Sequence, residues 1–306
     1  MEIKHKPMLC VDADLSKITY PIMGFPKLDG VRMINLTGRA TARTLKEHGN
    51  VFTTDKFSNP IYLGIDGEAT IGDITRDSLC RDTSSAMSTI NGEPDITWNA
   101  FDYLHPAVID LPYIERYNKL VEYVNINKPP NVNVIEYVWL NNEDEVNAFY
   151  DECLNLGYEG IVLRNPSGLH KDGRCTANEA NYLRLKPSSD KEALVLKLVE
   201  ARTNLNEKKT NLLGLSERSS HKENLVGKGM VGMLVCKDLT TGIYVDVGPG
   251  KMTHEERLYY WNHPEEIVKY YIKYRSMDKG IKDKPRFPRY ISKRAKEDII
   301  FEGTLL

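Results

Sequence analysis

The chain has 306 residues, 41% of them apolar and 27% charged, with 21 Gly and 15 Pro. That composition excludes intrinsic disorder and collagen-like repetition, and the length leaves room for two domains with separate cores. The formal net charge of -2, from 41 Lys and Arg against 43 Asp and Glu, argues by itself against a partner rich in phosphate, which selects a basic surface.

Charge placement argues the other way. Between Lys269 and Lys296 eleven basic residues stand against two acids, Asp278 and Asp283, a local net of +9 that leaves -11 for the rest. Cys10, Cys80, Cys153, Cys175 and Cys236 are odd in number and widely spaced, with no C-x-x-C pair. They suggest neither zinc nor a redox motif and fit a reduced, cytoplasmic setting. The N-terminus has no apolar run behind its charges, and no stretch approaches the roughly 18 residues of a membrane span, so neither secretion nor a membrane is expected.

In chain order, short apolar runs bounded by Gly, Asn, Asp and Pro predict strands over 20–26, 31–36, 61–71 and 96–104. Ile114, Tyr117, Leu120, Val121 and Val124 recur at helical spacing and predict a helix over 113–124. A second helix is predicted over 143–156, with Asn142 as its N-cap, Glu145 three residues on, and Gly157 beyond its end. Strands follow over 132–139, 160–164 and 182–186. Strands and helices do not alternate regularly, which predicts an α+β class with a largely antiparallel sheet.

The chain changes character near Pro187 to Asp190. Further strand-like runs at 193–199, 230–236, 243–247 and 267–274, a short helix at 253–261 and a polar stretch at 204–228 suggest a small β-barrel such as an OB-fold. The expected domains are 1–188 and 189–306.

Four segments carry chemistry. KLDGVR, at 27–32, sets Lys27 at the end of one strand and Arg32 at the start of the next, two cations and a carboxylate around a small space. Taken alone it also reads as a β-hairpin with an Asp-Gly turn and solvated charges. IDGEATIGD, at 65–73, places Glu68 in an apolar strand, where a solvent-facing Glu is the plainer reading. EGIVLRNP, at 159–166, puts Glu159 just before a strand and an Arg at its end. YLRLKP, at 182–187, sets Arg184 and Lys186 on one strand face, where two cations repel unless an anion such as phosphate lies between them.

Taken in order, KLDGVR, Arg43 in TARTLK, DGE, FDY at 101–103, EGIVLR and the basic pair before Pro187 resemble the motifs of the covalent nucleotidyltransferases. The likeness is to ATP-dependent DNA ligases, in particular the small two-domain kind encoded by bacteriophages. RDTSSAMS, RSSHKENLVGKGMVG, VGPGKMTHEER and RFPRY extend it over almost the whole chain. The resemblance implies an antiparallel-sheet nucleotidyltransferase domain, ATP-grasp-like, followed by an OB-fold domain. It implies ATP, Mg2+ or Mn2+, nicked duplex DNA as partner, and a monomer in the cytoplasm, that of a bacterial host if the protein is phage-encoded.

In that family the Lys at the position of Lys27 attacks the α-phosphate of ATP. Phe25, Pro26, Lys27, Arg32, Arg43, Glu68, Phe101, Arg184 and Lys186 would surround the nucleotide, with Phe101 on the adenine. Glu68 and Glu159 would hold the metal, and Arg286, Arg289 and Arg294 would attend the pyrophosphate. A lysine with a free pKa near ~10.4 has to shed its proton to attack, a task for which Arg32, Arg184, Lys186 and Mg2+ are the expected helpers. Arginine cannot serve as this nucleophile, because guanidinium does not deprotonate in proteins.

Two departures stand out: Arg184-Leu185-Lys186 replaces the common K-x-K, and the terminal R-x-D-K box reads Arg294, Ala295, Lys296, Glu297, with acid and base exchanged. The basic stretch reads as a clamp on DNA phosphates or as a solvated face, and 204–228 as an arm round DNA or a long hairpin loop. With 26 residues before Lys27, no added N-terminal DNA-binding domain is expected. An RNA ligase or GTP-using capping enzyme would share the KxDG chemistry. A nucleic-acid-binding protein with a dead nucleotidyl site is the non-enzymatic alternative.

Overall fold

Apolar strands of the N-terminal part, several of them buried on both faces, build two sheets rather than one. The computed structural model describes residues 5–277 and 284–294, and the chain divides into two units, Met1–Lys186 and Pro187–Leu306. In the first unit the elements are β1 (Met8–Leu9), β2 (Val11–Asp12), β3 (Ile22–Lys27), β4 (Val31–Ile34), α1 (Val51–Lys56), β5 (Ile65–Ile71), α2 (Leu79–Ser88), β6 (Ile96–Tyr103), α3 (Tyr113–Asn127), β7 (Val132–Val134), β8 (Val138–Leu140), α4 (Glu143–Asn155), β9 (Gly160–Arg164), β10 (Gly173–Arg174) and β11 (Tyr182–Leu185).

Among the described residues one sheet has the order β2-β11-β9-β3-β8 and another β4-β5-β6-β7, with β1 and β10 as a separate parallel pair. Most neighbours are antiparallel; β2 with β11 and β6 with β7 are parallel. Two local expectations are corrected here. Lys27–Arg32 is not a hairpin: β3 pairs with β8 and β9, β4 pairs with β5, and KLDGVR passes from one sheet to the other. The run 132–139 is likewise two strands in different sheets.

Helix α4 starts as its sequence predicts, the Asn142 side chain accepting from the Glu145 amide at 2.9 Å. Helix α2 escapes a periodicity search because its buried stripe is Leu79, Thr83 and Met87, with a polar residue in the middle. Met33, Phe57, Ile65, Ala69 and Trp98 form the core against the second sheet, and Ile22, Leu140, Val146, Ile161 and Leu183 that against the first. Each large side chain so buried contributes about 1.5–3 kcal/mol.

The second unit contains β12 (Ser189–Asn204), β13 (Lys208–Thr210), β14 (Ser216–Arg218), β15 (Leu225–Asp238), β16 (Tyr244–Val247), α5 (His254–Asn262), β17 (Tyr271–Met277) and β18 (Arg286–Arg294). Its antiparallel sheet runs β16-β15-β12-β17-β18, and the two edges touch through one parallel bridge, Gly248 to Arg289. Pairing among the described residues therefore does not close the sheet into a barrel. Val195, Val231, Leu234, Val245 and Ile272 fill its core, where the Tyr274 hydroxyl donates to Asp238 Oδ2 at 2.6 Å. A capping box of Thr253 and Glu256 starts α5. The polar stretch 204–228 is ordered as the β13–β14 hairpin between β12 and β15. Ala295, Lys296 and Glu297 of the terminal box lie outside the described residues.

Candidate active site

Lys27 ends β3 opposite Gly160 on β9. Its ammonium donates to Glu159 Oε2, and Lys186 Nζ lies 3.4 Å from the other carboxylate oxygen of Glu159. The Glu159 side chain is 6% exposed. Two glycines make this approach possible. A Cβ on Gly30 would stand 2.3 Å from the Ala69 carbonyl oxygen, so the crossing chain can lie on β5 only without a side chain there. Gly160 has φ +146°, and a Cβ on it would meet the Leu185 carbonyl oxygen at 2.2 Å.

Along β5, Ile65 and Ala69 point into the apolar core, which turns Asp66 and Glu68 to the opposite side. Arg32 on β4 pairs across the sheet with Glu68, and its guanidinium makes a bidentate contact with Asp66, Nε to Oδ1 at 2.5 Å and Nη2 to Oδ2 at 2.6 Å. The same guanidinium sits 4.6 Å from the centre of the Phe101 ring. Phe101 is the extra residue of a bulge: Asp66 faces Asp102 and Gly67 faces Ala100, which leaves Phe101 without an opposite residue and swings its ring toward Arg32.

Below this layer lies a buried charge cluster. Asp102 accepts from Arg116 at 2.8 and 2.9 Å and from Arg164 Nη2 at 2.7 Å. Arg164 stacks over the rings of Tyr113, at 3.9 Å, and Tyr182, at 4.2 Å. Bidentate charge-assisted bonds of this kind fix orientation as well as charge.

The electrostatics correct one expectation. Burial pushes Lys27 toward a lower pKa, but the carboxylates of Glu159 and Glu68 outweigh it and hold the pKa above the ordinary lysine value. The expected cations do not outweigh this: Arg32 is committed to Asp66, Arg184 to Asp12, Nε to Oδ1 at 2.6 Å, and Lys186 shares Glu159 with Lys27. Burial also drives Glu68 up; Lys27 and Arg32 oppose it, Glu159 and Asp29 add to it, and its pKa stands at about 7. Glu159 is raised by burial yet held below its ordinary value by Lys27 and Lys186. Arg184 and Lys186 flank Leu185 as the sequence predicts, but each has its own carboxylate, Asp12 and Glu159, so they need no shared anion.

The first unit thus gathers Lys27, Arg32, Glu68, Phe101, Glu159 and Lys186 in one place. Phe25 is elsewhere: its ring is buried among Tyr113, Tyr117 and Tyr137, and Pro26 follows it on β3. Arg43 is exposed in a turn between the bridge residues Thr41 and Glu47. Arg286, Arg289 and Arg294 lie on β18 of the second unit, where Arg294 Nε donates to Glu192 Oε1 at 2.9 Å. The sequence motifs give Asp66, Asp102 and Arg116 no separate signal and mark Arg164 only as the Arg that ends EGIVLR. For the two aspartates the signal was a charged residue inside an otherwise apolar strand, since a carboxylate buried there has to find a cation.

Comparison with known proteins agrees with this geometry. Residues 25–186 match the family model of the ATP dependent DNA ligase domain. The chain belongs to the ATP-dependent DNA ligase family. Over 158 residues it is 31% identical to DNA ligase 2 of Methanosarcina acetivorans, a match that takes in 50% of this chain and 24% of that protein. The chain therefore spans about a quarter of that relative's length. Its fold is similar to that of a Lig E DNA ligase, with TM-score 0.72 and 19% identity over 94% of this chain and 99% of the other. It is also similar to Chlorella virus DNA ligase-adenylate, with TM-score 0.52 and 22% identity over 94% and 99% of the two chains. Among the described residues no helix is long and apolar enough to cross a membrane.

Proposed function

We propose that the protein seals nicks in duplex DNA with ATP, using Lys27 as the nucleophile. The observation that carries this reading is the gathering of Lys27, of Glu159 just before β9 and of Glu68 on β5, with Arg32 over Phe101 in the same cluster. Lys27 Nζ forms a P–N bond to the α-phosphorus of ATP as pyrophosphate leaves. The adenylyl group then passes to the 5′-phosphate at a nick, and the 3′-hydroxyl displaces AMP to close the backbone. All three are phosphoryl transfers, so the protein's part is alignment and charge neutralisation.

A divalent cation fits the donors present: Glu68 and Glu159 offer carboxylate oxygens, the ligands Mg2+ and Mn2+ prefer. Burial is the main cause of the raised pKa of Glu68, with Glu159 and Asp29 adding to it against Lys27 and Arg32, so a cation at its oxygens would favour the charged carboxylate. Bound there, the ion supplies the positive charge that offsets the two glutamates and the phosphates. Phe101 stacks on adenine. Arg32, prealigned by Asp66, and Lys186 contact the nucleotide, as do Arg184 and, at the rim, Arg43 and the backbone of Phe25 and Pro26. Arg286, Arg289 and Arg294 serve the pyrophosphate. The second unit acts as an OB-like module whose basic strand and β13–β14 hairpin hold DNA phosphates, and the protein works as a monomer of domains 1–188 and 189–306.

The test is covalent labelling with α-labelled ATP or GTP and Mg2+, followed by addition of nicked DNA or nicked RNA. Label from ATP that nicked DNA discharges is the expected result. GTP label or discharge only by RNA would move the assignment to a capping-type enzyme or an RNA ligase. Absence of label, or label that survives Lys27→Ala, would overturn the nucleophile.

A further inference from the structure

A second cluster of ligand-bearing side chains lies outside the site just described. The first described residues run as a strap along residues 170–175: the Gly173 amide donates to the Pro7 carbonyl at 3.2 Å, β1 pairs with β10, and the Cys175 amide donates to the Leu9 carbonyl at 2.9 Å. That course brings His5 beside His170 and Asp172, and one ligand atom from each lies within 4.8 Å of the others. We propose that His5, His170 and Asp172 form a binding site for a zinc-class divalent cation that staples the N-terminal strap to the 170–175 segment.

His170 Nε2 donates to the Lys6 carbonyl oxygen at 3.0 Å, through a proton that a bound cation would displace, whereas its spacing to the carboxylate, like that of His5, is wider than a hydrogen bond. His170 Nε2 lies 3.4 Å and His5 Nδ1 3.8 Å from the same oxygen, Asp172 Oδ1, both beyond the roughly 2.7–3.2 Å of an N–H···O bond. Four donors bound tetrahedrally at ~2.0–2.1 Å sit about 3.3 Å apart, so the cluster needs only a small closure. The carboxylate is already oriented, because the Lys6 amide donates to Asp172 Oδ1 at 2.9 Å, the kind of outer hydrogen bond that fixes a ligand. His170 anchors the cluster with a side chain 5% exposed, whereas His5 and Asp172, at 40% and 42%, leave room for water in the remaining position.

Two imidazoles and one carboxylate select Zn2+ and its neighbours over Mg2+, which prefers an all-oxygen shell. The donor set thus separates this cation from one held by Glu68 and Glu159. The strap it would fix continues directly to the candidate active site: the Met8 carbonyl lies 3.5 Å from Arg32 Nη2, and Asp12 holds Arg184.

The test uses the full chain without a polyhistidine tag, stripped with chelator and titrated with Zn2+ alone by calorimetry, with Co2+ as an optical probe of tetrahedral ligation. One equivalent is expected to bind and raise Tm. His5→Ala and Asp172→Ala, both changes at half-exposed positions, are expected to weaken binding about tenfold or more and to cancel the rise in Tm. No binding, or binding undiminished in both variants, overturns the proposal. Lys27 labelling with Mg2+ and ATP reports separately on the ligase reading.

Discussion

Lys27 and Glu159 are joined twice: the Lys27 ammonium donates to Glu159 Oε2, and the Glu159 amide donates to the Lys27 carbonyl at 3.0 Å. The backbone link continues the β3–β9 pairing, so the carboxylate is set beside Lys27 by sheet register. The consequence is chemical. A partner that raises the pKa of an amine stores it as ammonium, and the attack on phosphorus requires it neutral.

With Lys27 as the proposed nucleophile and Glu159 as a proposed metal ligand, Glu159→Gln is expected to move the alkaline-rising limb of Lys27 adenylylation toward neutral pH, even as the plateau falls by roughly tenfold or more. Single-turnover labelling across a pH series at saturating ATP and Mg2+ reads both effects. A limb that stays in place would show that Glu159 does not control the protonation of Lys27.

Glu68 makes an opposite prediction for stability. Its folded pKa of about 7 lies above the ordinary glutamate value of 4.5, so between those values the folded state holds a proton that the unfolded chain has released. Stability then falls as pH rises through that window, and the loss is complete above about 7. Glu68→Gln keeps the shape without the charge. At alkaline pH without divalent metal it should raise Tm by a few degrees, on the order of 1–3 kcal/mol, while labelling is lost. An unchanged melting curve would sink the argument.

How much of this was legible depends on how local each signal is. The start of α4 is written in Asn142 and Glu145, and the Lys27, Glu68 and Glu159 set is written in motif order. The crossing at Lys27–Arg32 is not, because a hairpin and a crossing share the same six residues and differ only in partners such as Leu140 and Arg164, more than a hundred positions away. Phe25 reads as a pocket residue because it adjoins Lys27, yet tertiary packing turns its ring into the aromatic core. Strand β18 hides because its basic residues dominate a run in which Tyr290 is buried. Asp66 and Asp102 look like the polar half of an alternating strand until the sheets bring arginines to them.

The buried cluster around Asp102 should be severe to break. Asp102 is 2% exposed, and burial raises its pKa while Arg116 and Arg164 more than compensate. Asp102→Ala leaves both guanidiniums without their carboxylate and is expected to cost about 3–5 kcal/mol. Because the folded pKa of Asp102 is depressed, its contribution is present above the ordinary aspartate range and disappears as pH falls through the folded value. Urea unfolding at neutral and acid pH tests both parts, and a loss below about 1 kcal/mol at neutral pH would contradict the cluster's role.

The β13–β14 hairpin supplies the last prediction. Lys208 stands directly opposite Arg218 across the two strands, and all six strand residues are exposed. Like charges in that relation repel, and a row of phosphates would relieve them. If the hairpin holds DNA, each phosphate contact contributes about 0.9 to the slope of log K against log salt, so Lys208→Ala with Lys209→Ala should lower that slope by roughly 1–2 for nicked duplex. Self-adenylylation involves no DNA and should keep its rate. Binding isotherms at several salt concentrations, paired with a labelling assay, separate the two steps; an unaltered slope would place the hairpin outside the DNA contact.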